Sequence, residues 1–376
     1  LILLILAGES VFILPFVLQR VFRPTVLKVF ELDNVSLGLC FSVYGFVALI
    51  SYLLGGPLAD KYQPRKLIAI ALWMTALGGL VFATFPDYLM LQILYGFWGF
   101  TTIFLFWSPM IKATRIWGGQ NSQGKAFGFL DGGRGLVGAL FGTLGVLVFA
   151  HFMSADLEVA SLQESKFAFR YVILTSSGIV AVVGVLVWLF MKLPEHQEKE
   201  IVVDRITTSQ IKEVLRLPSV LLLMIIILCA YVGYKITDIF SLYAQDVMLL
   251  DEVGSAEVGT FLLFARPVVG VFIGIVIALI GSLLFASGMV ADVCYFIFLL
   301  SIMIVALGVY AIRSLYFAVM QSGKIPLLLT GTAVGLISLV GYTPDIFAGP
   351  AMGYLLDASP GLEGHRHVFW MLALFS

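Results

Sequence analysis

The stretch "GGPLADKYQPRKL", Gly55 to Leu67, closes a long apolar run with one acidic and three basic residues, Asp60, Lys61, Arg65 and Lys66. Charge is scarce in this chain: 60% of its 376 residues are hydrophobic and 12% are charged, about half the share usual in a soluble domain. Such a composition predicts an all-α membrane protein made almost wholly of spanning helices, with the charged stretch as a loop at the membrane surface. A formal net charge of −1 points to no nucleic-acid partner, because in such a chain charge is sorted between loops rather than summed. Cys40, Cys229 and Cys294 stand singly in apolar stretches, without the spacing of a disulfide framework or a metal site.

Working outward on a ruler of about 20 apolar residues per crossing, spans fall near 1–21, 36–58, 67–85, 88–113, 124–152 and 169–192. A polar stretch over 193–218 then carries charges of both signs and reads as a cytoplasmic linker. Further spans fall near 219–245, 256–277, 278–291, 293–314, 326–354 and from 368 onward, which predicts an N-terminal bundle of six helices over 1–192 and a C-terminal bundle over 219–376. Basic residues mark alternate loops (Lys61, Arg65 and Lys66; Lys112, Arg115 and Lys125; the linker; Lys324), whereas the others carry Asp87, Asp156, Glu164, Asp251 and Glu252. The positive-inside rule therefore places both termini and the linker in the cytoplasm. Arg20, Arg23 and Lys28, in the first outer loop, run against that trend.

An internal repeat supports two related halves. "GKAFG" at Gly124 answers "GTAVG" at Gly331 with an offset of about 207, and "VSLG" at Val35 answers "AEVG" at Ala256 with an offset of about 221. The shortfall implies that part of a loop and helix is missing near 275–282. The chain opens inside an apolar run without an initiator Met, which reads as the ordered part of a longer protein.

Six plus six helices, a charged linker and the series Gly56, Leu58, Ala59, Asp60, Lys61, Arg65 and Lys66 resemble the major facilitator superfamily of secondary transporters. Gln63-Pro64 in place of the usual second glycine is similar to the organophosphate-antiporter branch, carriers of glycerol phosphate and hexose phosphates. So are Trp107, Pro109, Lys112, Trp117, Gln120 and Gly124. That resemblance puts Arg134 where the branch has a histidine near its phosphate. It puts the branch's first-helix arginine near Val17, where this chain has none, and its seventh-helix arginine near Gly233, two residues before Lys235. It implies the twelve-helix fold of two pseudo-symmetric bundles and alternating access.

In that frame Gly56, Asp60, Lys61, Arg65 and Lys66 are a conformational latch, Asp60 accepting from a neighbouring helix N-terminus; a basic loop that only fixes topology is the plainer alternative. Charges inside spans are expected to face a cavity or a partner. Glu9, Asp131, Arg134, Lys235, Asp238, Arg266 and Asp345 are such charges. Arg134 and Lys235, one from each half, are candidates to clamp an anion, with Asp131 and Asp238 three residues from them on the same helix faces. The alternative is that each basic residue only neutralises its own Asp. Tyr44, Trp107, Tyr231, Tyr234 and Tyr342 are candidate lining residues, and Glu9, Asp238 and Asp345 are candidate proton carriers. Glycines from Gly124 to Gly145 predict a close-packing ridge on the fifth span.

The sequence therefore predicts a monomeric carrier in the cell (inner) membrane, not an enzyme, without cofactor or metal. It would move a small organic anion, a phosphorylated or other acidic metabolite, by exchange or with a proton. A proton-coupled carrier of a neutral sugar, nucleoside or drug-like solute is the alternative, and a transporter-like sensor without flux is the rival from another class.

Overall fold

The computed structural model describes residues 1–118, 123–153, 161–192, 212, 215–265, 282–287, 295–315 and 330–375. Among them every regular element is helical. The first span runs Ile2–Val21, the second Asn34–Lys61, the third Pro64–Phe82, the fourth Tyr88–Gly118, the fifth Gln123–Phe152 and the sixth Leu162–Phe190. The seventh runs Pro218–Asp246, and Glu252–Ala265 opens the eighth. Tyr295–Leu315 forms the tenth, Thr330–Gly341 and Pro344–Ala358 the eleventh, and Leu362–Phe375 the twelfth, which starts before the expected 368. Most of the linker, Arg266, Cys294, Lys324, Gln120 and all but the last residue of the expected gap near 275–282 lie outside the described residues.

Local chemistry sets the helix ends. Asp33 caps the second span by accepting from the Ser36 amide at 2.7 Å, and hydrogen bonds from the Ser36 side chain and amide hold its carboxyl below the usual carboxylate range. Ser161 and Glu164 form a reciprocal capping box at the sixth span, while Pro64, Pro218 and Pro344 open helices where no amide donor is needed. Inside the first span the helix widens over Ile13–Val17, around Pro15, which has no amide hydrogen to donate. A short helix, Arg23–Phe30, then carries the chain across the bundle end to the left-handed Glu31.

Large apolar side chains such as Phe46, Ile50, Leu140, Leu147, Leu222, Ile225 and Phe296 are exposed, as lipid-facing residues must be. Seven of the described helices are long and apolar enough to cross a membrane. One buried apolar core draws on residues 4–191 with Ala256 and Leu263, and another on residues 231–372. Between them the second and eleventh spans pack backbone against backbone: a Cβ on Gly38 would overlap the Gly349–Pro350 peptide, and one on Gly45 would come within 2.9 Å of the Asp345 carbonyl carbon. The expected ridge on the fifth span holds only in part. Gly142 faces Thr260 and Leu263 of the eighth span, whereas a Cβ on Gly128 or Gly132 would meet nothing.

Candidate functional site

Four buried charges gather where the halves meet. Arg20, 2% exposed at the end of the first span, donates from Nε to Asp238 Oδ1 at 2.6 Å, and its Nη2 stands 2.6 Å from the same oxygen. Lys235 lies 3.5 Å from Asp238 Oδ2 and 3.5 Å from Asp345 Oδ1. Tyr231 donates its hydroxyl to Asp345, 3.1 and 3.2 Å from the two carboxylate oxygens. The first, seventh and eleventh spans are thus joined by a chain of alternating charge, Arg20, Asp238, Lys235, Asp345. Lys235 is the loosest member: its ammonium is fully buried and makes no hydrogen bond of normal geometry.

Aromatic rings complete this environment. Lys235 Nζ lies 4.1 Å from the Phe41 ring centre and 4.8 Å from that of Phe16, and the Arg20 guanidinium sits 4.4 Å over Tyr234. Tyr44 packs edge-on against Phe16 and shares a 2.7 Å hydrogen bond with Thr102. Toward the basic end of the bundle, where Lys61 lies, Tyr342 stacks on Tyr52 and meets Tyr231 and Trp107 edge-on. Trp107 in turn touches Phe12.

Arg134 belongs to a second pair. Its Nε donates to Glu9 Oε2 at 3.2 Å, across the first and fifth spans, with its guanidinium 5.3 Å from the Phe12 ring centre. Arg134 thus has a carboxylate partner on another span, beyond the Asp131 expected from spacing, and Asp131 itself is half-buried. Lys235 likewise meets more than its neighbour in sequence. Of the expected lining residues, Tyr44, Tyr231, Tyr234, Trp107 and Tyr342 all join this environment.

Sequence reasoning left out Arg20 and assigned it to a loop. A charge at the end of an apolar run normally serves as an interfacial anchor, and only contact with Asp238, 218 residues away, distinguishes it. Of the latch residues, Gly56, Asp60 and Lys61 lie on the last turns of the second span, with side chains outside the described residues; Arg65 is half-buried and Lys66 exposed. Beside them Lys112 of the fourth span donates to the Ala59 carbonyl at 2.9 Å, satisfying an acceptor at that helix end.

At the opposite end the halves are tied directly. Asp357 of the eleventh span accepts from the Asn34 amide at 3.2 Å, Asn34 Nδ2 at 2.9 Å and the Val35 amide at 2.8 Å. Glu252 of the eighth span accepts from Lys28, from Thr25 at 3.1 Å and from Ser165 at 3.1 Å. Arg23, fully buried beneath, holds Asn34 Oδ1 through Nε and Nη2 at 3.2 and 3.0 Å. Ser42 donates to the Ile346 carbonyl and Ser241 to the Arg20 carbonyl, again across the halves.

Among the described residues no group of His, Cys, Asp and Glu is arranged to hold a metal ion. The chain is 26% identical over 385 residues, 95% of its length and 87% of the other's, to "Inner membrane protein YqcE" of Escherichia coli K12. It is also 26% identical over 408 residues to "Inner membrane protein YihN" of the same organism, covering the whole chain and 91% of that protein. Among solved structures it superposes on a mutant form of the nucleoside transporter NupG with a TM-score of 0.73 at 12% identity, covering 100% of this chain and 95% of that one. A bacterial homologue of the human lysosomal transporter Spinster, in an inward-facing and unoccupied conformation, gives 0.71 at 16% identity, covering 99% and 93%. These likenesses establish the fold, and its long apolar helices are those of a multi-pass membrane protein. The model of the Major Facilitator Superfamily matches residues 2–348, more than nine-tenths of the chain, and the protein belongs to that family.

Proposed function

We propose that this transporter carries a small organic anion, a phosphorylated or other acidic metabolite, through the interface between its halves by alternating access. The observation that carries the reading is the meeting of Arg20 and Lys235, buried cations from opposite halves, within one charge chain. A ligand that engages both draws the halves together, and an anion is the ligand both recognise. The Arg supplies a directional fork and the Lys a point charge. Arg134 stands beyond Phe12 as a further cation from the N-terminal half. Exchange and proton coupling are both compatible with this arrangement.

The ties at Asn34, Asp357 and Glu252 belong to a state closed at that end. With the basic loops and both termini in the cytoplasm, that end faces outward, and Asp60 with its basic neighbours is proposed to latch the opposite state. The proposed working unit is a monomer, because the whole charge chain lies within one polypeptide.

A second reading, a proton-coupled carrier of a neutral solute such as a sugar or nucleoside, is favoured by two observations. Arg20, Lys235 and Arg134 each face a carboxylate already, and the rings of Tyr52, Tyr342, Trp107 and Tyr231 form a surface suited to a planar or ring-shaped solute.

The two readings separate in a thermal-shift screen of the purified protein with glycerol 3-phosphate, glucose 6-phosphate, gluconate, a sulfonate, glucose and uridine. A ligand at about a hundred times its dissociation constant stabilises by about 2.7 kcal/mol. Stabilisation by an anion, lost in Lys235→Ala, is the expected result. Stabilisation by glucose or uridine alone, retained in Lys235→Ala, contradicts the anion reading.

A further inference from the structure

Lys166 and Arg170 stand on the first turns of the sixth span, at the end where Glu252 and Asp357 tie the halves. Positive charge is unexpected there, since the orientation proposed above puts that end outside. Most cations toward this end have polar partners that account for them: Arg20 has Asp238, Arg23 has Asn34, Lys28 has Glu252, and Lys166 has Glu31 at 3.2 Å. Arg170 differs. It is exposed and faces no carboxylate among the described residues, yet it is held in place. Its Nε donates to the Ala83 carbonyl, just past the third span, at 3.1 Å, and its guanidinium lies 5.3 Å from the Phe85 ring centre. Both Nη nitrogens remain for another acceptor, and a positioned guanidinium without a counter-ion is a seat for an oxyanion.

The surroundings decide which oxyanion. Lys166 and Arg170 line an open cleft of about 500 Å³ between the fifth and sixth spans, together with Phe152, Gln163, Glu164 and Phe167. Tyr171 stacks on Phe152 with ring centres 4.1 Å apart and meets Phe167 edge-on, and the exposed rings of Tyr171 and Phe167 are of the kind found at the headgroup level of a membrane. Inward from the cleft the same two helices leave a narrow seam lined by Leu144, Gly145, Val148, Val172, Thr175 and Ile179. From Arg170 to Ile179 the helix rises about 13 Å, close to half of a hydrocarbon core about 30 Å thick. We propose that this cleft binds one membrane glycerophospholipid, its phosphodiester on Arg170 and Lys166 and one acyl chain along the seam.

The acidic neighbours are compatible with that occupant. Glu164 is engaged with the Ser161 amide at 2.8 Å, and Glu31, largely exposed, releases Lys166 to the phosphodiester at little cost. Lys166 follows Ser165, whose hydroxyl donates to Glu252 at 3.1 Å, so the lipid sits against the turn that ties the sixth span to the eighth.

The test titrates the purified full chain, stripped of lipid by detergent exchange, with palmitoyl-oleoyl phosphatidylglycerol, the matching phosphatidylethanolamine and the matching diacylglycerol, and counts bound lipid by native mass spectrometry. One molecule of either phospholipid is expected to be retained, and diacylglycerol, which has the same chains without the phosphate, to bind about tenfold more weakly or worse. Lys166→Gln with Arg170→Gln should bring the phospholipids down to the diacylglycerol level. Because Arg170 also bonds the backbone beyond the third span, Thr175→Trp supplies an independent variant: it fills the seam, leaves both cations in place, and should weaken phospholipid binding as well. Diacylglycerol binding as tightly as the phospholipids, or phospholipid retention unchanged in both variants, overturns the proposal. Inorganic phosphate binding as tightly as phospholipid, and equally in Thr175→Trp, would assign the cleft to a soluble anion and overturn it too.

Discussion

Arg20 shows how one residue acquires its role from contacts far along the chain. In sequence it borders an apolar run and resembles an interfacial anchor; in the fold it is buried and ion-paired with Asp238. Removing one partner of such a pair strands the other charge, at a cost of about 3–5 kcal/mol. Arg20→Met is therefore expected to lower thermal stability by about that amount, and Arg20→Met with Asp238→Leu to recover part of it, measured by unfolding in detergent. A double variant no more stable than the single one contradicts the pair. Arg134 teaches the same lesson: its spacing from Asp131 was visible, but Glu9, on the first span, was identifiable as its partner only once the helices were placed. Lys235, Asp238, Asp345 and the tyrosines were legible because a charge or phenol inside an apolar span is costly without a partner. Their grouping follows from packing of distant segments, which local pattern does not encode.

In the proposed alternating access, helix pairs carry the conformational change. The second and eleventh spans touch at Gly38 and Gly349, with Asp357 placed over the first amides of the second span. There a carboxylate opposes the positive end of the helix dipole and accepts donors that the helix cannot use. Hydrogen bonds to a charged group contribute about 1.5–3 kcal/mol, so Asp357→Ala is expected to favour opening at this end by about tenfold or more. The readout is the rate at which a membrane-impermeant maleimide labels Ser42→Cys, in the inter-half contact with Ile346. An unchanged rate would show that Asp357 does not hold the gate. Gly38→Val should act in the same direction, since overpacking costs about 1–3 kcal/mol and its added carbons meet backbone rather than a movable side chain. The fifth-span glycines drew attention in the sequence through their number, yet this pair makes the closer contact. Spacing reveals small residues; only the partner helix reveals which ones are pressed.

At the scale of the molecule, hydropathy alone reveals an integral membrane protein of many spans, because the bilayer imposes the length and apolarity of each helix. The loop from Gly55 to Leu67 adds the family, which the match over residues 2–348 bears out. Substrate choice is harder to read, since it depends on a difference in energy among ligands at a site assembled from both halves. The charge chain between those halves is proposed to move an organic anion. Its most direct test is uptake of radiolabelled gluconate and glycerol 3-phosphate, with uridine and glucose as neutral comparisons, into proteoliposomes of the purified protein under an imposed pH gradient. An anion is expected to accumulate in the vesicles, driven by the gradient or by exchange for anion loaded inside, and Lys235→Ala to abolish the accumulation. Accumulation of uridine or glucose with neither anion moving, undiminished in Lys235→Ala, would contradict it.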